Sequence, residues 1–297
     1  MHLVVMVKSR KKPIGSKSPS GKSVKVAEGR WVPVKSRDKL PKRVTDKVTV
    51  PPAWVNVQYY SDPDSKLMVK GEDSKGRIQY LYNPDHVTSA AKEKFARINA
   101  LNKMYDTIVA ENAISAKQRN TEAECLALIL DTGIRPGSEK ETGAEVEAFG
   151  ATTLQGKHVV VSGDSVRLQF VGKKGVEQDI AVSDPEVREA LKRRKAESGP
   201  DGRLFPTTGD KLLRYTKSLG GDAGFQTKDF RTHLGTATAM AAMKGRKGPT
   251  TMKQYKAMVA EVADVVAERL GNTRKVALSS YINPAVFEKW RRKVEKS

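Results

Sequence analysis

Four stretches of this 297-residue chain carry side chains suited to one kind of chemistry. The first runs from Asp131 to Ser138 (DTGIRPGS) and holds Arg135 in a turn bounded by glycine and proline. The second, Phe170 to Gly175 (FVGKKG), projects Lys173 and Lys174 from a hairpin tip. The third, Lys228 to Thr236 (KDFRTHLGT), opens a helix; a spacing of three sets Lys228 and Arg231 on one face. The exposed N-terminus of that helix also favours phosphate. The fourth is Leu270-Gly271-Asn272, followed nine residues later by Tyr281 in a polar segment between two helices. Attack on a phosphodiester without a metal needs guanidinium forks for the nonbridging oxygens, an acid for the leaving 5′ oxygen, and a side-chain nucleophile. The four stretches supply all three. Singly none is specific, because a loop arginine or hairpin lysine is usually a solvated charge and a tyrosine usually packs.

Other chemistries find no support. There is no GxxxxGK[ST] loop, no GxGxxG after a strand, no HExxH and no GxSxG. The one carboxylate cluster, Glu139, Glu141, Glu145 and Glu147, reads as a solvated turn, so no metal site and no two-metal phosphoryl transfer is expected. Cys125 is the single cysteine and the four histidines stand far apart, which excludes a disulfide framework and a thiolate zinc cluster. Lys and Arg number 54 against 34 Asp and Glu, a net charge of +20 that calls for a polyanionic partner. No apolar run approaches the roughly 20 residues of a membrane span. The opening MHLVVMVKSRKK has its apolar run before its charges and is not a secretory signal, so a cytoplasmic protein is expected. Residues 1–50 hold 14 Lys and Arg against 3 Asp and Glu, and residues 1–22 read as a poorly ordered basic tail.

The elements that must position these side chains follow from periodicity. Val24, Val26, then Trp31, Val32 and Val34, then Trp54 to Tyr59, Leu67 to Val69 and Ile78 to Tyr82 alternate as strands of a small antiparallel sheet. In the last of these, Gln79 and Leu81 share one face, and Ile78, Tyr80 and Tyr82 the other. After Asn83-Pro84-Asp85 a stripe of Phe95, Ile98, Leu101, Tyr105 and Ile108 turns helical, which places a domain boundary near residue 86. Thr121 to Glu124 reads as a capping box for a helix ending at Gly133. Three short strands follow, at 158–161, 166–171 and 176–182. Helices are then expected from Asp184-Pro185 to about Ala196, from a Thr227 cap through Met240, from Met252 to Leu270, and after Asn283-Pro284. The expected fold is α+β: a β-rich N-terminal domain over 23–86 and a mainly helical catalytic domain over 87–297 with a three-stranded sheet.

The order Arg, hairpin Lys, K-x-x-R, Gly-Asn, Tyr resembles the tyrosine-nucleophile DNA strand transferases. Within them the chain resembles the type IB DNA topoisomerases of the small poxvirus and bacterial kind. The likeness covers nearly everything from residue 20. VPPAWVNV (50–57), SDPD (61–64) and GRIQYLY (76–82) match in the N-terminal part; TGIRPGSE (132–139), GATTL (150–154) and KDFRT (228–232) match in the catalytic part. The resemblance implies that Tyr281 attacks the scissile phosphate to give a 3′-phosphotyrosyl bond and a free 5′ hydroxyl. Arg135 and Arg231 would clamp the nonbridging oxygens, and Asn272 would donate to one of them. Lys173 would protonate the 5′ oxygen with Arg135 assisting, with Lys174 second in rank for that role. Gln79, Tyr80 and Tyr82, with Lys174 and Lys228, would contact DNA.

It further implies relaxation of positive and negative supercoils in double-stranded DNA without ATP, metal or other cofactor. The family precedent is a monomer shaped as a C-shaped clamp with no obligate protein partner. The chain departs from the family after TGIRPGSE, where KETGAEVEAFG is acidic instead of aromatic and basic. Two alternatives stand beside this reading. A tyrosine site-specific recombinase or integrase shares the catalytic domain, but usually has His-x-x-Arg and Leu-Gly-His where this chain has Lys228-x-x-Arg231 and Leu270-Gly271-Asn272. A non-enzymatic DNA-compacting protein would account for the charge but not for the ordered motifs.

Overall fold

A computed structural model describes residues 29–137, 139 and 147–296. The expected strand around Val24 and Val26, the basic tail, and Glu141 and Glu145 lie outside the described residues. The chain forms two compact units that divide between Ala91 and Lys92. Helices and two small antiparallel sheets make up the fold, the α+β class.

The first unit is a four-stranded antiparallel meander in the order β1 (Trp31–Pro33), β2 (Val55–Tyr60), β3 (Leu67–Glu72) and β4 (Ile78–Tyr82). The short helix α1 (Lys42–Thr45) was not legible as a helix in the sequence. It brings Val44 to Leu40, Val50, Val57, Met68 and Val69 in a small core. Alternation leaves β4 with Ile78, Tyr80 and Tyr82 exposed, while Gln79 and Leu81 are half-buried.

One 34-residue helix, α2 (Pro84–Lys117), runs from the first unit into the second. In the second unit α3 (Thr121–Thr132) is capped one residue earlier than expected. Asn120 is the cap, its side chain accepting from the Ala123 amide at 2.9 Å. Glu124, expected as the capping-box partner, is instead buried and accepts from Arg193 and Arg194. A three-stranded meander follows, β5 (Val159–Ser162), β6 (Ser165–Gly172) and β7 (Val176–Ala181). Asp184 caps α4 (Pro185–Ser198) through the Glu186 and Val187 amides. Helix α5 (Gly209–Gly220) had no counterpart among the expected elements. Then come α6 (Thr227–Met243), α7 (Met252–Leu270), α8 (Arg274–Ser280) and α9 (Glu288–Glu295).

Two cores organise this unit. One joins α2, α3, α4, α5 and β5–β7 around Leu126, Leu168, Leu191 and Phe225, and takes Phe230 from α6. The other joins α6–α9 around Val262, Val266, Ala277 and Trp290, and takes Ala239 from α6. Helix α6 therefore belongs to both, and Arg231 lies on the stretch that links them. Among the described residues no helix is long and apolar enough to cross a membrane.

Candidate active site

Arg135 follows the end of α3, where Gly133 closes the helix in the left-handed region (φ 68°). Its loop is held by main-chain bonds and by the Thr132 hydroxyl, which accepts from the Ile134 amide at 3.2 Å. The Ala151 amide donates to the Arg135 carbonyl and the Thr152 amide to the Pro136 carbonyl, each at 2.8 Å. Gly150 lies so close to Gly137 that a Cβ on it would meet that backbone at 2.6 Å. The GATTL stretch thus acts as the brace of the arginine loop.

Lys173 stands at the β6–β7 tip, exposed, and lines a small crevice with Arg135, Arg231, Gln178, Phe149 and Phe170. The side chain of Lys174 is outside the described set. Lys228 and Arg231 diverge despite their spacing. Lys228 is exposed in the first turn of α6, whereas Arg231, one turn on, is 3% exposed. At the N-terminus of α6, where the sequence favours phosphate, a carboxylate of the helix itself takes the cap amide. The buried Asp229 carboxylate accepts from the Gln226 amide at 3.0 Å and pairs with Arg97 at 3.1 Å. Gln226, not Thr227, is the cap, because Asp229 reaches back to its amide.

Asn272 follows the left-handed Gly271 that ends α7. Its Oδ1 accepts from Arg135 Nη2, while its Nδ2 is buried without a partner. Arg231 donates through Nη2 to the Leu270 carbonyl at 2.9 Å, and its Nε is likewise buried and unpartnered. Burial pushes the Arg231 guanidinium down from the ordinary arginine range, and the charge of Arg135 adds to this, while Tyr281 opposes it. Arg231 Nε and Asn272 Nδ2, two unused buried donors beside the Arg135 guanidinium, make a receptor for an anion.

The sequence sets Tyr281 in a polar segment between two helices, and the structure adds a short helix directly before it. Tyr281 caps the seven-residue α8, a helix missed in the sequence because its single buried residue is Ala277. The Tyr281 amide donates to the Ala277 carbonyl at 2.9 Å, and its own carbonyl accepts from Thr236 Oγ1 at 3.2 Å. Its ring lies beneath the Arg231 guanidinium, 5.0 Å from carbon to ring centroid. The fold therefore brings Arg135, Lys173 and Arg231 to one crevice, Asn272 onto Arg135, and Tyr281 onto Arg231.

Gln79, Tyr80 and Tyr82 belong to β4 in the other unit. Tyr80 and Tyr82 are exposed beside Trp31 and Lys66, whereas Gln79 donates to Asp73 at 3.0 Å. Of the four glutamates singled out in the sequence, only Glu139 and Glu147 are among the described residues. Glu139 accepts from the Gly209 amide at 3.3 Å, and no group of three metal-binding side chains occurs among the described residues. A cavity of about 890 Å³ lies between the end of α6 and α9 against Trp290, and none of the candidate residues lines it.

The family described as eukaryotic DNA topoisomerase I, catalytic core, matches residues 85–297. The chain is similar to DNA topoisomerase 1B of Acanthamoeba polyphaga mimivirus, 28% identical over 260 residues that cover 80% of this chain and 76% of that protein. It is 25% identical over 258 residues to DNA topoisomerase 1B of vaccinia virus (strain Copenhagen), covering 84% and 79%. It is 26% identical over 258 residues to DNA topoisomerase 1 of rabbit fibroma virus (strain Kasza), covering 84% and 78%. With a family match that takes in the whole of the arginine, lysine, asparagine and tyrosine constellation, the chain belongs to the type IB DNA topoisomerases and is a DNA topoisomerase I.

Proposed function

We propose that this topoisomerase relaxes supercoils of both signs through a covalent tyrosyl intermediate carried by Tyr281, with Arg135, Lys173, Arg231 and Asn272 completing the site. The observation that carries the reading is the pair of buried, unpartnered donors, Arg231 Nε and Asn272 Nδ2, held in one constellation with Arg135 and Tyr281. A phosphodiester would give each donor an acceptor, and the developing charge of the pentacoordinate transition state would strengthen both hydrogen bonds.

In that reading the Tyr281 phenol oxygen attacks phosphorus as its proton leaves to water, with the Arg231 guanidinium over its ring. The bond to the 5′ oxygen breaks and that oxygen takes a proton from Lys173. One phosphoester has replaced another, so the reverse step reseals the strand without ATP, and the free end rotates in the interval. The exposed Tyr80 and Tyr82 on β4 support duplex contact by the first unit, and the exposed Lys228 supports it in the second; Gln79 and Lys174 are assigned the same role on the family resemblance. We assign residues 23–86 to DNA clamping and 87–297 to catalysis, the whole acting as a monomeric C-shaped clamp on cytoplasmic or nucleoid DNA. The basic tail at 1–22 adds phosphate contacts.

Negatively and positively supercoiled plasmids incubated in EDTA without ATP test the reading. Relaxation of both, lost in Tyr281→Phe with duplex affinity retained, is expected. A covalent adduct in Tyr281→Phe would move the nucleophile elsewhere. Binding without relaxation, together with a 3′ adduct on one particular site alone, would mark a recombinase. Deleting residues 1–22 should flatten the dependence of affinity on salt.

A further inference from the structure

Tyr281 is anchored from three sides. Its amide bonds within α8, and its carbonyl accepts from Thr236 on α6. The third comes from 186 residues away. Lys94, on α2, donates its ammonium to the carbonyl of Ser280, the residue that immediately precedes the tyrosine. That carbonyl belongs to the last turn of α8, where main-chain oxygens have no helical partner and a cation is favoured. Lys94 is half-buried, and burial pushes its ammonium below the ordinary lysine range. Lys228 and Arg97 push it the same way, and only Asp229 opposes them. A lysine held there gives up hydration and meets two like charges, a cost that an ordinary surface position would avoid.

One turn further along α2, Arg97 pairs with Asp229, the buried carboxylate that caps α6, the helix of Arg231. Two residues three apart thus tie α2 to both the Tyr281 segment and the Arg231 helix. We infer that Lys94 is a positioning residue for the nucleophile: it fixes the Ser280–Tyr281 peptide, and so the phenol oxygen, relative to the Arg231 guanidinium. This rests on the assignment of Tyr281 as nucleophile.

The test uses the full chain, with a suicide duplex carrying the phosphodiester or a 5′-bridging phosphorothiolate. Lys94→Met removes the ammonium and keeps the length of the side chain; Lys94→Arg keeps a donor. A displacement of about 1 Å costs about a hundredfold in rate. Lys94→Met is therefore expected to slow single-turnover cleavage and religation together by about ten- to a hundredfold, with duplex affinity unchanged and Lys94→Arg recovering most of the rate. The phosphorothiolate should rescue Lys173→Ala but not Lys94→Met. Cleavage by Lys94→Met within twofold of the parent would overturn the inference, and rescue by the phosphorothiolate would make Lys94 an acid instead. If Lys94→Met does not fold, Lys94→Gln takes its place; a melting temperature and an affinity that fall in proportion to rate would reduce Lys94 to a structural role. An adduct formed by Tyr281→Phe would instead sink the nucleophile assignment itself, whatever the Lys94 variants do.

Discussion

Gly235 is the residue whose replacement by one methyl group should most cleanly separate folding from catalysis. It lies in α6 where that helix passes the nucleophile, and a Cβ there would stand 2.8 Å from the Tyr281 carbonyl oxygen, 3.0 Å from the Tyr281 Cβ and 3.2 Å from Leu270 Cδ1. Ordinary van der Waals contact begins at 3.4 Å, so in Gly235→Ala the Tyr281 backbone must retreat by about half an ångström. Helix propensity favours the alanine by about 1 kcal/mol, while overpacking costs about 1–3 kcal/mol. The net loss of stability should therefore be at most about 2 kcal/mol, and the protein should remain folded. The effect on chemistry is larger in proportion. With about a hundredfold lost per ångström of misplacement, half an ångström predicts about a tenfold slower cleavage. Single-turnover cleavage of a suicide duplex reads the rate, thermal melting reads the fold, and a binding isotherm on uncut duplex reads affinity. Cleavage within twofold of the parent, at unchanged affinity, would refute the claim that the contact between α6 and Tyr281 sets the position of the phenol.

Further outcomes follow from the same geometry. Asn272→Ala should slow cleavage by about a hundredfold through loss of one donor to the transition state. Asn272→Asp should be slower still, since it can accept from Arg135 but cannot donate to phosphate, as the same cleavage assay will read. His158, whose Nδ1 accepts from the Gln155 amide at 3.0 Å, is held by burial below its ordinary value of 6.5. The unfolded chain then takes up the proton first. Stability is full above pH 6.5 and lost as pH falls through it, and melting curves of His158→Gln should show a flatter loss between pH 7 and 5. Cys125 is fully buried and its thiol is pushed up by burial. A thiol reagent should leave the native protein unlabelled and modify one site after denaturation.

Much of the fold was legible because long apolar stripes and turn chemistry carry their own signals. Helix α7, with Met252, Tyr255, Val262 and Leu270 closed by Gly271, and the β5–β7 meander fall within a residue or two of their expected limits. What escaped shows where local signals end. Helix α8 buries only Ala277, so no stripe marks it, yet it presents Tyr281. The Asn120 cap was displaced by the T-x-x-E pattern one residue later, because Glu124 could serve either a cap or the buried pair with Arg193 and Arg194. The divergence of Lys228 and Arg231 reflects two cores meeting along α6, which no spacing rule contains. Lys94 had no signal at all. Its partner is a main-chain carbonyl 186 residues away, and a carbonyl has no residue type to read.

The closely apposed Gly137 and Gly150 have an evolutionary consequence. The backbone ends of the intervening stretch already touch, and the carbonyls of Arg135 and Pro136 are bonded to Ala151 and Thr152. The cost of closing that loop grows only slowly with its length. Residues 140–146 between the two glycines can be replaced, recharged or lengthened without passing strain to Arg135, whereas Phe149 is fixed against His158 and lines the crevice. The acidic KETGAEV found there is one filling of that slot. Selection could exchange it for another, altering how the enzyme meets its DNA while the catalytic arginine stays where it is.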